Sequence, residues 1–357
     1  MESEHKIIGG MFGLELSGAE PPVSFSILPR FLQGRHRLLA TARSAFALLQ
    51  RTIKPHRVWL PSYLCGAIIP AFDEPKVEIR FYAIDEHLHI FEEEWLAQVQ
   101  HGDMVVFIDY FGFKLWDEWG KSARVRGAWV VEDACQALLN DRFSEHAHYV
   151  VFSPRKFVGV PDGGVLLAQG DAQLTANSLP PVPSEWWIDA LTASIRRAEF
   201  DWGTGDEERS WFKIFQKIEP TGPLAPTAMS ELTAYILKHV INWDEVSHRR
   251  RENYRQLANA LVEFALFPQL PSGIVPLGFP VRLANRDDVR SVFFSQQIYP
   301  SIHWPISGVV PESFTGSHRL AEQILTIPCD QRYDQAAIDR LVNELHKHAP
   351  VGLCQPA

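Results

Sequence analysis

Short apolar runs that stop abruptly at polar or turn residues recur through the first half of the chain. Val58–Leu60 ends at Pro61-Ser62-Tyr63, Met104–Ile108 at Asp109, Ala128–Val131 at Glu132-Asp133 and Tyr149–Phe152 at Ser153-Pro154, while Val165–Ala168 follows the turn Asp162-Gly163-Gly164. Val77–Ala83 is a further run of this kind. Brief, β-branched stretches bounded by turn formers predict buried strands. Between them the spacing becomes helical: Ala45, Leu48 and Leu49 share one face from Thr41 onward, and Phe91–Val99 has helical spacing behind an acidic start. Strands alternating with helices predict an α/β fold, a mostly parallel sheet flanked by helices on both faces.

The second half reads differently. Trp186-Trp187, Ala190–Phe200 and Trp211–Ile218 are helical in pattern, with an acidic turn at Gly203–Arg209. Trp243–Phe264 is amphipathic, carrying Tyr254, Leu257, Ala258, Leu261 and Val262 at helical spacing. Beyond it, Phe279–Leu283 and Ser301–Trp304 read as strands, and Asp287–Gln297 and Tyr333–His346 as helices, a compact C-terminal α/β unit. The expected division is a large domain over 1–240 and a small one over 241–357. Residues 1–30, with Gly9-Gly10, Pro21-Pro22 and little periodicity, are expected to form an extended arm lying on the domain or on a neighbouring subunit. Its Met11-Phe12-Gly13-Leu14 piece needs apolar cover, which a dimer would supply.

Composition narrows the class. With 357 residues, 46% of them hydrophobic, the chain can bury a large core. A formal charge of -9 without a long basic stripe argues against nucleic-acid binding. The cluster His248-Arg249-Arg250-Arg251 reads as a solvated helix face. The four cysteines show no metal spacing, so neither a zinc site nor a disulfide framework is expected. No apolar stretch is long enough to cross a bilayer, and no secretory leader pattern is present, which points to a reducing cytoplasm.

One acid and one lysine stand at the ends of neighbouring apolar runs, Asp133 and Lys156. If the runs are strands, both project from strand ends into one cleft, where open α/β folds place ligands. A lysine amine can hold an aldehyde cofactor as a Schiff base and afterwards move protons. A carboxylate facing a pyridine nitrogen keeps it protonated, so that the ring withdraws electrons. The pair is the one a pyridoxal phosphate enzyme needs. Ser153 could reach the cofactor phosphate and Gln136 the ring edge. Thr41-Ala42-Arg43-Ser44, at a helix start, could cradle a phosphate, although a simple N-cap gives the same letters. The competing reading makes Asp133 a helix cap and Lys156 a surface lysine.

The segments VVEDACQA, FSPRK and GVPDGGVLLA resemble the cofactor-binding core of the DegT/StrS family of pyridoxal phosphate aminotransferases, which share the aspartate aminotransferase fold. The resemblance continues in order through TARSAFALL, RVWLPSYLC, VVFIDYFG, RRRENYRQLANAL, SIHWP and LTIPCDQRYD, over most of the chain. It implies that Lys156 is the Schiff-base lysine, Asp133 the pyridinium partner and Thr41–Ser44 the phosphate turn. It further implies that Tyr63 stacks on the cofactor ring, and that His303 and Trp304 border the substrate. The implied activity is transfer of an amino group from an amino acid, plausibly glutamate, to a keto sugar carried on a nucleotide, in a homodimer. Elimination or decarboxylation on the same lysine and acid is the alternative, as is a non-catalytic regulatory module that keeps the fold. Three departures concern the family pattern. Asp109 replaces a customary His, Pro226 stands where a partner's asparagine often reaches the phosphate, and no acceptor segment of Arg, Asn, His and Gly follows the Gly163-Gly164 turn.

Overall fold

The computed structural model describes residues 7–16, 28–73, 77–91, 93–174, 178–205 and 209–349. Cys354, Pro21-Pro22 and residues 1–6 and 17–27 of the expected arm lie outside them. In chain order the elements are β1 (Ile8–Gly9), β2 (Arg35–Leu39), α1 (Ala42–Ile53), β3 (Arg57–Pro61), β4 (Glu78–Tyr82), α2 (Glu94–Ala97), β5 (Met104–Ile108), α3 (Asp117–Val125), β6 (Trp129–Asp133), β7 (Tyr149–Phe152) and β8 (Gly164–Ala168). There follow α4 (Ser184–Asp201), α5 (Ser210–Ile218), α6 (Glu231–His239), α7 (Trp243–Ala260), β9 (Phe279–Arg282), α8 (Arg286–Ser295), β10 (Ile298–Tyr299), α9 (Thr315–Gln323), β11 (Ile324–Ile327) and α10 (Gln335–His348).

Seven strands form the central sheet in the order β2-β8-β7-β6-β5-β3-β4. Only β8 runs against its neighbours; the other adjacent pairs are parallel. Every residue of β5, β7 and β8 is buried, as an apolar strand requires when both faces are covered. The α/β architecture with a mostly parallel sheet is therefore as expected. The C-terminal unit pairs β9 with β11 antiparallel, and β10 pairs with β1 at the start of the chain.

Several expected boundaries move. Ser301–Trp304 is no strand: Ser301 makes a single bridge to Thr326, and Pro300 and Pro305, which lack an N–H, bracket the segment. The helix expected to reach Phe264 stops at Ala260, because Phe264 and Leu266 exchange backbone bonds with Arg282 and Pro280 along β9. The helix of Phe91–Val99 shrinks to Glu94–Ala97. Strand β2 carried no period-two apolar signal, since its sequence Arg-His-Arg-Leu-Leu puts three basic residues first. The arm's apolar piece is covered by its own chain: Leu14 donates to the Ser194 carbonyl at 2.8 Å, and Met11 packs beside Trp186 and Ile218.

Candidate active site

Asp133 is the last residue of β6, and its Oδ1 accepts the Cys135 N–H at 3.0 Å, which turns the chain out of the sheet. Strand β7 stops two residues before Pro154, which cannot donate to a ladder, and the chain leaves in a 3₁₀ turn over Pro154–Lys156. Because β6 and β7 are parallel neighbours with Asp133 opposite Val151, the carboxylate and the amine leave the sheet at the same, carboxyl-terminal edge.

The start of α1 makes the third wall. Thr41 caps the helix, its Oγ1 accepting the Ser44 N–H at 3.0 Å. The Ala42 and Arg43 amides precede the first intrahelical bonds and keep the positive end of the helix dipole facing outward. Gly164 lets β8 approach this turn: a Cβ there would stand 2.2 Å from the Thr41 carbonyl carbon and oxygen. Asp162 anchors the same turn from behind, accepting the Ser230 N–H at 2.7 Å and hydroxyl bonds from Ser230 and Thr233.

Of the residues expected at the site, Thr41, Ala42, Arg43, Asp133, Gln136, Ser153, Lys156 and Trp304 line one inner cavity of about 100 Å³. A larger outer cavity of about 260 Å³ shares Ser153, Arg155, Lys156 and Glu219 with it and takes in His303. The Lys156 Nζ lies 5.8 Å from the centre of the Trp304 ring, and among the described residues it has no hydrogen bond or ion pair. Burial opposes its charge, but the fields of the neighbouring thiols, Asp133 and Glu219 together hold the amine above the ordinary lysine value. Burial raises the pKa of Asp133, and the Lys156 charge and the Cys135 bonds partly offset it. Gln136 accepts the Phe111 N–H at 2.7 Å through Oε1, while its buried Nε2 has no partner among the described residues. Burial, reinforced by the Lys156 charge, holds His303 down at about 3; this neutral ring bonds the Thr326 hydroxyl at 2.9 Å.

Two expected contacts do not reach the cavity. Tyr63 is completely buried, packed 5.7 Å from Trp304 and 5.9 Å from Tyr110, so it supports the cavity wall from beneath; the six-membered and indole rings that line the cavity are those of Phe46 and Trp304. Ser44 is also fully buried, and its hydroxyl is bound to the Pro223 and Ala225 carbonyls. Asp109 lies buried beside Glu132, accepting the Trp116 indole N–H at 2.7 Å; burial, then the Glu132 charge, pushes its carboxyl well up. Sequence reasoning passed over Arg155 and Glu219, which border both cavities, and Cys65 and Cys135, which border the inner one. Arg155 and Cys135 stood inside the quoted motifs. Glu219, between two weakly patterned helical stretches, carried no local signal.

Among the described residues no group of His, Cys, Asp and Glu is arranged to hold a metal, and no helix is long and apolar enough to cross a membrane. No family model matches the sequence, and no curated protein matches it. Solved structures do match in shape. DesV of S. venezuelae, solved in complex with a ketimine intermediate, superposes with a TM-score of 0.63 at 17% identity, over 88% of this chain and 85% of that one. The sugar aminotransferase CalS13 of Micromonospora echinospora gives 0.59 at 15% identity, covering 87% of each chain. NtdA of Bacillus subtilis, with bound cofactor PMP, gives 0.64 at 13% identity over 89% of this chain and 74% of that one. The chain thus has the fold type I architecture of pyridoxal phosphate transferases, with the small C-terminal unit that accompanies it.

Proposed function

We propose that the protein is a pyridoxal phosphate-dependent aminotransferase of DegT/StrS type, which moves an amino group from an amino acid, glutamate in the first instance, to a keto sugar carried on a nucleotide. The observation that carries this reading is a half-buried lysine whose amine has no bonding partner among the described residues, Lys156, sharing one cavity with the Asp133 carboxylate and a helix N-terminus. The residues fit the cofactor. The Ala42 and Arg43 amides suit a phosphate, Ser153 lines the same cavity, and the orphaned Gln136 Nε2 offers a donor to a polar ring substituent.

When bound, pyridoxal phosphate supplies an electron sink for the substrate carbon that loses its proton. Lys156 would hold the cofactor covalently and, once released by the donor's amine, carry that proton as general base and return it as general acid. Asp133 would keep the pyridine nitrogen protonated. Its raised pKa reflects a carboxylate buried without a full counter-charge, a condition that a protonated ring nitrogen would relieve. Trp304 offers an aromatic face. The outer cavity, bordered by His303, Arg250 and Arg332, is the place for donor and acceptor.

The sugar acceptor is supported by the sequence resemblance and by sugar aminotransferases among the structural matches. The division near residue 240, the homodimer and the cytoplasmic setting belong to the same reading. The test is the absorption spectrum of the purified protein with pyridoxal phosphate, before and after excess glutamate. A visible band that glutamate moves to the near ultraviolet, with a borohydride-fixed adduct on Lys156, is the expected result. A band indifferent to every amino acid would turn the assignment to another reaction, and no adduct at Lys156 would end it.

A further inference from the structure

Between α5 and α6 the segment Glu219–Ala225 lies across the first turn of α1. Three side chains of that turn clasp it: Arg43 donates to the Glu219 carbonyl at 2.8 Å, Thr41 to the Pro223 carbonyl at 2.8 Å, and Ser44 to the Pro223 and Ala225 carbonyls at 2.9 and 3.0 Å. All these acceptors are backbone carbonyls. The Glu219 carboxylate takes no part in the clasp, and instead meets Arg155 at 2.7 Å where the two cavities join.

The pair is unequal. The Arg155 side chain is 18% exposed and that of Glu219 51%, so the carboxylate can swing into solvent while the clasp stays closed. Arg155 makes no other side-chain hydrogen bond among the described residues, which leaves most of its donors unspent. In the same inner cavity the buried Gln136 Nε2 also lacks an acceptor among the described residues. One carboxylate cannot satisfy this set, whereas a phosphate, with more oxygens and more charge, suits it better. Two like-charged groups would compete for one guanidinium.

We propose that Glu219 is a displaceable internal ligand of the anion site, holding Arg155 until the phosphate group of an entering ligand takes the guanidinium over. That the ligand is pyridoxal phosphate rests on the function proposed above; the displacement itself does not. Glu219 thereby sets selectivity, because a ligand without a strongly anionic group cannot release Arg155.

The test uses the full-length protein and its Glu219→Gln, Arg155→Gln and doubly substituted variants, titrated calorimetrically with inorganic phosphate and optically with pyridoxal phosphate and pyridoxal. Glu219→Gln is expected to tighten binding of inorganic phosphate and of pyridoxal phosphate by about tenfold, the effect of removing one nearby like charge. Pyridoxal affinity should be unchanged, and the gain should vanish in the double variant. Unchanged or weaker phosphate binding in Glu219→Gln overturns the proposal, as does an equal gain for pyridoxal or a gain that survives loss of Arg155. A phosphate gain without any adduct at Lys156 upholds the displacement and sinks the cofactor reading. An adduct without the phosphate gain does the reverse.

Discussion

Gly164→Ala isolates the contribution of one close approach. The added Cβ would stand 2.2 Å from both the carbonyl carbon and oxygen of Thr41 and 2.6 Å from the Ala42 nitrogen, where ordinary contact begins at 3.4 Å. The obstructing atoms are backbone, so no rotamer change relieves them, and β8 and the start of α1 must separate by roughly 1 Å or more. Overpacking typically costs about 1–3 kcal/mol, and a rigid backbone neighbour places this site at about 3 kcal/mol. The same separation pulls the Ala42 and Arg43 amides away from Ser153 and Lys156, so pyridoxal phosphate affinity should fall by at least about tenfold, the equivalent of only ~1.4 kcal/mol. Gly316→Ala serves as the control, since its Cβ would meet nothing closer than 3.5 Å and it lies within α9. There alanine should be neutral or stabilising by up to about 1 kcal/mol. Urea denaturation with and without cofactor reads both quantities. A Gly164→Ala protein within about 0.5 kcal/mol of the parent, binding the cofactor as well, would refute the idea that this contact builds the cradle.

Lys156→Ala should fold at least as stably as the parent, since it removes a half-buried amine with no bonding partner among the described residues, yet yield no borohydride-fixed adduct; mass spectrometry of the reduced protein checks this. Asp133→Asn keeps an oxygen for the Cys135 amide but removes the charge, so turnover should drop by about 100-fold or more. The Lys156 amine should also titrate lower in that variant, readable in the pH dependence of adduct formation. His148, held down at about 4 by burial and then by the Arg124 charge, binds its proton more readily in the unfolded chain. Its contribution to stability is therefore complete above 6.5 and lost as pH falls toward about 4, with His303 extending the loss toward about 3. Denaturation midpoints between pH 7.5 and 4.5 should fall accordingly, and His148→Gln should flatten the decline; an unchanged slope in the variant would count against His148 as its source.

The local language of the chain was sufficient for the central strands and for the first turn of α1. Tyr149–Phe152 and Met104–Ile108 are apolar over their whole length, because their strands are covered on both faces, and their boundaries follow from that. Thr41 was legible as a cap because a cap is a contact three residues long. Ser301–Trp304 misled because a short apolar stretch near proline does not reveal whether a partner strand is within reach. Tyr63 is a related case: an aromatic after a strand end can face the cleft or the core, and here it is buried against the Tyr110 and Trp304 rings, an arrangement no local pattern reveals.

By itself the sequence determined the alternation of strands and helices, the acid and the lysine at two strand ends, and the glycine pair at the start of β8. Strand order was decided only in three dimensions. It made β6 and β7 parallel neighbours, and so brought Asp133 and Lys156 to one edge. It also carried Glu219 across the first turn of α1, far from it in sequence, onto Arg155. Periodicity and turn chemistry are written within a few residues of one another. A cavity is made by residues that meet only after the apolar strands have buried one another, and its charges are set by neighbours that no local pattern names.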